Sequence, residues 1–395
     1  LGLFALEAGT SICFAASRPT VVHSPIKVLS SSPLPALTRQ FAKRKGWTGA
    51  DGAYSIKLTA ARTLWLFGDT WIGQIKNGKR VGSTLINNSA AWQDTNKPRA
   101  SFRFFWNEKQ AKPASLIESD KPDTWVWPGD GALVDGKLYI FLHVISRKPH
   151  DPSIWGFEGT GDELLQVDNP LDPPVSWRSH RQALPRDMQF GNATIFDADH
   201  GFLYIFGENH SSPQPPFGHF IVLARLNRHA LNDLDLHSIE YWCSGVTGAN
   251  AIGFNRANSD PKFDASNSAS RNHWSGKLDN PVVLIPNGAS EMTVSRVPGL
   301  SGYFATYTPI GLGNAVAVRH ATKLTGPWSE PAKVYECPID RGIFGYSAKA
   351  HPELARTNGE LVVTYCQNTA SLQANVDNPE IYRPRAISVR LRLRK

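Results

Sequence analysis

Five stretches of the chain follow one pattern, and that repeat limits the fold more than any other feature. They are "GADGAYSIKLTAARTLWLFGDTW" from Gly49, "WPGDGALVDGKLYIFLHVI" from Trp127, "QFGNATIFDADHGFLYIFGENH" from Gln189, "NGASEMTVSRVPGLSGYFATYTPI" from Asn287 and "GYSAKAHPELARTNGELVVTYCQN" from Gly345. Each opens on small polar residues, continues into a short strand, turns, and returns in a second strand rich in Leu, Tyr, Ile and Phe. Period-two alternation around a tight turn is the mark of a β-hairpin. The spacing predicts inner hairpins near 49–71, 127–145, 189–210, 287–310 and 345–368. Further strand patterns lie between them: "TLINNSAAW" and "SFRFFW", "ELLQVD" and "VSWRSHRQAL", "FIVLARLN" and "IEYWCSG", "AVAVRHAT" and "WSEPAKVY". Four antiparallel strands repeated five times predict an all-β, five-bladed β-propeller; two β-sandwiches are the alternative.

The fifth repeat ends after one further strand, "PRAISVRLR". Its outer strand must then come from the other end of the chain, where "PTVVHSPIKVLS" (Pro19–Ser30) resembles the outer strand "PWSEPAKVYE" of the fourth repeat. Closure by the two termini would remove open sheet edges. No Pro/Ser/Gly linker divides the repeats, so residues 19–395 read as one domain with a long rim insertion over 245–288. Residues 1–18 ("LGLFALEAGTSICFAAS" and Arg18) read as a signal-peptide remnant, which implies a secreted or periplasmic protein. Nothing later approaches the run of about 18 apolar residues that a spanning helix needs, and a monomer is expected.

The net charge of +8 raises nucleic acid as a partner, but the basic residues are scattered. The one basic run, "RPRAISVRLRLRK", alternates Arg with Ile, Val and Leu as one face of a strand would, so no nucleic-acid partner is expected. Four Cys show neither a disulfide framework nor zinc-ligand spacing.

In a propeller the start of each first strand and the end of each second strand share one face. That geometry gathers Asp51, Asp130, Asn192, Glu291 and the Lys349/His351 pair with Asp69, His143, Glu208, Asn209, His210, Tyr307, Gln367 and Asn368. Paired carboxylates at one mouth are what glycosidic cleavage uses, one as proton donor and one ionised. A third carboxylate would hold the donor's proton on. Trp71, Trp125, Trp127, Trp274 and Phe344 lie beside these positions and suit sugar stacking, so the expected partner is a carbohydrate. Each residue also has a plain reading. "GDT" and "DG" are ordinary turn sequences, and His351 before Pro352 fits a satisfied core histidine. Glu336, in "YECP", follows an outer strand and reads as structural.

The stretches "LWLFGDTW…NNSAAW", "WPGDGALVDGKLYIF", "FGNATIFD…LYIFGE", "VRHATKLTGPWSEPAKVYE" and "YSAKAHPEL…ELVVTYCQN" together resemble bacterial five-bladed propellers of the domain-of-unknown-function type, whose characterised relatives include endo-D-arabinanases. More distantly they resemble the furanosidase superfamily of arabinanases, β-xylosidases and invertases. The resemblance spans roughly Trp47 to Leu393. It implies an exported glycoside hydrolase, with furanosides among its substrates, in which Asp51 is base or nucleophile and Asp130 the orienter and pKa modulator. The family's acid position is Asn192 here, so Glu291 or Glu208 would have to supply the acid. Asp69, Trp71, Trp127, Asn192, His210, Trp274, Phe344 and Asn368 are the expected substrate contacts. No cofactor is required by this chemistry. The resemblance does place His351 where arabinanases hold a channel ion, calcium or another. A binding propeller without turnover and a lyase using Tyr307 or His143 as base are the competing readings.

Overall fold

Each of the five hairpins forms the two inner strands of its own antiparallel sheet. The computed structural model describes residues 22–94, 102–151, 153, 155–209, 219–245, 253–254, 261–262 and 272–394. Blade one contains Lys45–Lys57, Arg62–Lys76, Ser89–Asp94 and Phe102–Phe105; blade two contains Thr124–Val134, Lys137–Arg147, Phe157–Val167 and Ser179–Ala183. Blade three contains Gln189–Asp197, Phe202–Glu208, Ile221–Asn227 and Glu240–Cys243, with His273–Ser275 as a fifth strand. Blade four contains Met292–Ser295, Tyr303–Tyr307, Ala315–Ala321 and Ala332–Glu336. The inner strands touch in ring order, the last against the first, so the chain is a five-bladed β-propeller.

Blade five is built from both ends of the chain. Ile343–Ala350, Glu360–Thr369 and Arg385–Leu393 are followed in space by Ile26–Pro33, paired antiparallel from Ile26 opposite Leu393 to Pro33 opposite Ile387. The closing strand thus begins later than the sequence pattern suggested, and residues 19–21 lie outside the described residues.

Local sequence explains the elements. Asp135 and Gly136 both have positive φ, as the tight turn joining two twisted strands requires. The inner strands are apolar on both faces because each is packed between two neighbouring blades. Five hydrophobic clusters correspond to the five seams. One joins Ile56, Leu66 and Trp92 to Val126 and Leu142, another Phe141 and Leu164 to Phe190 and Ile205. Two more join Phe206 and Leu223 to Met292 and Tyr307, and Phe304 and Val318 to Leu361 and Ile387. The last seam packs Phe41, Trp47, Trp65 and Phe67 with Val362 and Ala386.

Two additions shape the mouth. The second strand of blade one runs on past its sheet and pairs with Lys79–Ile86, and Leu312–Gly313 crosses from blade four to pair with the inner strand of blade five. The described end of the 245–288 insertion follows the outer edge of blade three and reaches the mouth where the Gly288 amide donates to the His219 carbonyl. Among the described residues no helix is long and apolar enough to cross a membrane.

Removing residues 22–33 would expose the full edge of Arg385–Leu393. We expect a lower Tm and concentration-dependent aggregation, read by thermal melting and light scattering. An unchanged Tm with no aggregation would contradict closure by this strand.

Candidate active site

All five blades contribute to one cavity at the mouth of the ring, about 1340 Å³ in volume and larger than most small-ligand sites. Asp51, Asp69, Glu208, Glu291 and His143 line it, with Trp125, Trp127, Trp155, Phe157 and Phe344 among the aromatic walls.

Asp51 sits in an irregular part of the blade-one hairpin, where the register slips between Ala50 and Gly52. The bulge turns its carboxylate out of the ladder and into the mouth. Its Oδ2 accepts from the hydroxyls of Tyr346 (2.8 Å) and Tyr382 (2.7 Å). Its Oδ1 lies against Gly68, where a Cβ would come within 2.5 Å, so glycine is needed at that position. Burial, then the charges of Asp69 and Glu291, push the Asp51 carboxyl up to about 8 against the pull of the two tyrosines. Asp69 Oδ1 accepts from Trp127 Nε1 (2.8 Å) and Asn87 Nδ2 (3.2 Å). Burial raises that carboxyl to about 6, opposed by these two donors. Ala53, Ser347 and Tyr382 all have positive φ. Strain in non-glycine residues gathers where side chains must be held in place, and all three adjoin or contact the Asp51 segment.

The glutamates have different partners. Glu291 Oε1 accepts from the Lys349 ammonium (2.7 Å) and the Ser347 hydroxyl (2.9 Å). Lys349 is fully buried and also donates to the Gly52 carbonyl. Glu208 Oε2 lies 2.5 Å from His219 Nδ1, and its Oε1 accepts from Asn192 Nδ2 (2.9 Å).

Several expected residues sit elsewhere. Asp130 does not line the cavity. It is buried, with Oδ1 on the Gly131 amide and Oδ2 on the Thr194 amide, and so ties blade two to blade three. Burial raises its carboxyl to about 7 while those amides oppose the shift. Asn192 is fully buried behind Glu208 and steadies that carboxylate from within the channel. Trp71 packs against Ile381 and Tyr382 instead of facing a ligand. Trp274 packs at a tilt against Tyr204 and Trp242 and lies under the Arg225 guanidinium on the outer part of blade three, away from the mouth. Tyr307 is also buried, accepting from Arg319 Nε (2.6 Å). Trp127, Phe344 and Asn368 do line the cavity, and His210 lies outside the described residues.

His351 is held inside the protein. The Ser55 hydroxyl donates to Glu353 (2.5 Å), so His351 Nδ1–H donates to Ser55 Oγ (2.6 Å) and Nε2 accepts from Thr364 Oγ1 (2.7 Å). Burial, then the Lys349 charge, lowers the ring to about 3. Neither nitrogen is left for an ion, and no described cluster of His, Cys, Asp and Glu suits a metal.

Sequence reasoning missed His219, Asp162, Tyr346 and Tyr382. Tyr346 is the second residue of the fifth repeat as quoted from Gly345, and that position was a readable signal. Tyr382 belongs to the 371–384 segment, a short helix (Leu372–Asp377) followed by irregular chain, and follows no repeat. That segment is fixed by buried Arg80, which donates to the carbonyls of Asn375, Thr48, Pro379 and Ile381.

Solved structures share this fold. A protein of Bacteroides ovatus ATCC 8483, provisionally described as a hydrolase, superposes with a TM-score of 0.68 at 17% identity over 91% of this chain and 90% of its own. An α-L-arabinofuranosidase from Lactobacillus brevis gives a TM-score of 0.47 at 14% identity, over 87% of this chain and 90% of its own. No curated protein matches the sequence. The profile of one family matches residues 36–391, and the chain belongs to that family, described as domain of unknown function DUF5005.

Proposed function

We infer that this protein is a glycoside hydrolase acting on a poly- or oligosaccharide, furanosides included, in the cavity at the propeller mouth. The observation that carries the reading is that Asp51, whose surroundings push it toward the protonated form, lines one cavity with Glu291, which is paired with Lys349. Glycosidic cleavage needs a protonated donor to the leaving oxygen and an ionised partner that activates water or attacks carbon. In this reading Asp51 is the donor and Glu291 the ionised partner, the reverse of the roles implied by the family resemblance. Asp69 takes the tuning part expected of Asp130, since its charge is the first electrostatic contribution keeping the Asp51 proton on. Trp127, bonded to Asp69, and Phe344, packed against Tyr346, offer aromatic faces to sugar rings. Asn192 at the family's acid position does not favour a purely binding propeller, because it supports Glu208 from behind.

A screen of plant and bacterial polysaccharides for reducing-end release should find a substrate. Asp51→Asn and Glu291→Gln should each lower kcat by about 10²- to 10⁴-fold, with folding checked by circular dichroism. Equal release by the wild type and both variants would remove these assignments.

Asp51 and Asp69 titrate as a pair. If one shared proton defines the active form, activity rises with pH through about 6 and falls through about 8. The sign follows from the donor: Asp51 must keep its proton, which is lost above its raised value. Asp69→Asn removes a negative neighbour and should move the alkaline limb to lower pH. A limb that stays in place or moves upward would contradict the tuning part given to Asp69.

A further inference from the structure

A second charge-handling pair lies on the cavity wall. His143 lies within the second strand of blade two, Lys137–Arg147, and faces Asp162 directly across the ladder. Its Nδ1 is 2.8 Å from Asp162 Oδ1, and Asp162 Oδ2 accepts the Phe190 amide at 2.9 Å. Asp162 is only 8% exposed, so its position is fixed from both sides. An ionised carboxylate only accepts hydrogen bonds, so Nδ1 carries a proton and Nε2 is the nitrogen left to face a ligand. None of the described residues takes up Nε2. The ring lies against bare backbone, because a Cβ on Gly129 would come within 2.9 Å of Nε2 and 2.7 Å of the Gly191 carbonyl.

The groups facing His143 come from three blades: Asp162 of its own sheet, Gln189 and Glu208 of blade three, and Glu291 of blade four. Burial works against the charged ring. The bond to Asp162, followed by the charges of Asp162, Glu208 and Glu291, outweighs it and raises the imidazole above its ordinary value. The charged form is therefore kept to higher pH than in a free histidine and is lost as pH rises through the raised value.

We propose that His143, oriented by Asp162, is a substrate contact: its Nε2–H donates to a sugar hydroxyl whose own O–H is taken by Glu208 or Glu291. A sugar hydroxyl accepts and donates at once, which suits a site with a cationic donor on one side and carboxylates on the other. The imidazolium also offsets the negative charge of the two glutamates. This proposal rests on the carbohydrate reading above, and it assigns His143 to binding rather than to the proton-transfer step.

The test follows the ¹⁵N ring signals of His143 in the full chain, assigned by their loss in His143→Gln, across a pH series. The midpoint should lie above the ordinary histidine value of about 6.5, and Asp162→Asn should lower it. A panel of pentoses and hexoses is then added, with tryptophan fluorescence as an independent reporter of binding. The binding sugar should shift Nε2, and His143→Gln should weaken that sugar about tenfold or more. On a hydrolysed polysaccharide the loss should appear in KM more than in kcat. A midpoint at or below about 6.5, or sugar binding that leaves Nε2 and the His143→Gln affinity unchanged, would overturn the proposal. A sugar-dependent Nε2 shift in a protein that hydrolyses nothing would overturn the hydrolase reading and leave this one standing.

Discussion

The ring must close between blade five and blade one, and the candidate site is assembled on that seam. Asp51 comes from blade one, whereas the tyrosines bonded to it, Tyr346 and Tyr382, come from blade five and the segment before its third strand. Lys349 of blade five donates to the Gly52 carbonyl of blade one and to Glu291 of blade four, and the single Ser347 hydroxyl lies 2.9 Å from each of the same two acceptors. Arg80, rising from blade one, pins the segment that carries Tyr382. The pairing of Ile26–Pro33 with Arg385–Leu393 does more than cover an edge, because it fixes the blade from which these partners extend. A loosened seam would separate Asp51 from the hydroxyls and charges that define its state.

Electrostatics then gives chemically similar carboxylates different states. Asp51 and Asp69 are half-buried at the mouth, no cationic side chain among the described residues is bonded to either, and both are pushed toward the neutral form. Glu291 is bonded to an ammonium, and Glu208 and Asp162 each to an imidazole. One wall of the cavity therefore favours the neutral carboxyl, while on another each carboxylate has a nitrogen partner. Environment, not residue type, separates a donor from an ionised partner.

Much of the architecture was legible because propeller strands impose period and spacing directly on the sequence. The five hairpins, the terminal closure and the presence of Asp51, Asp69, Glu208 and Glu291 at the mouth all follow from where strands begin and end. Residue roles were less legible. Asp130 shares its "DGA" context with Asp51 at the mouth, but the inner strand turns its oxygens onto two backbone amides. Trp71 and Trp274 read as sugar platforms until packing placed one behind Tyr382 and the other beneath Arg225. Tyr382 and Arg80 stand outside the repeat, and only the folded seam brings them to Asp51. Pairing across a strand ladder, as in His143 with Asp162, needs the register as well as the strands.

The claim on which the rest turns is that Asp51 holds a proton near neutral pH. Carbon-13 labelling of the aspartate carboxyls, titrated by NMR in the wild type and in Asp51→Asn, measures this directly. The account predicts one aspartate signal with a midpoint near 8 that the substitution abolishes. If every aspartate that disappears with Asp51 titrates in the ordinary range near about 4, the proton donor has been misplaced and the account fails.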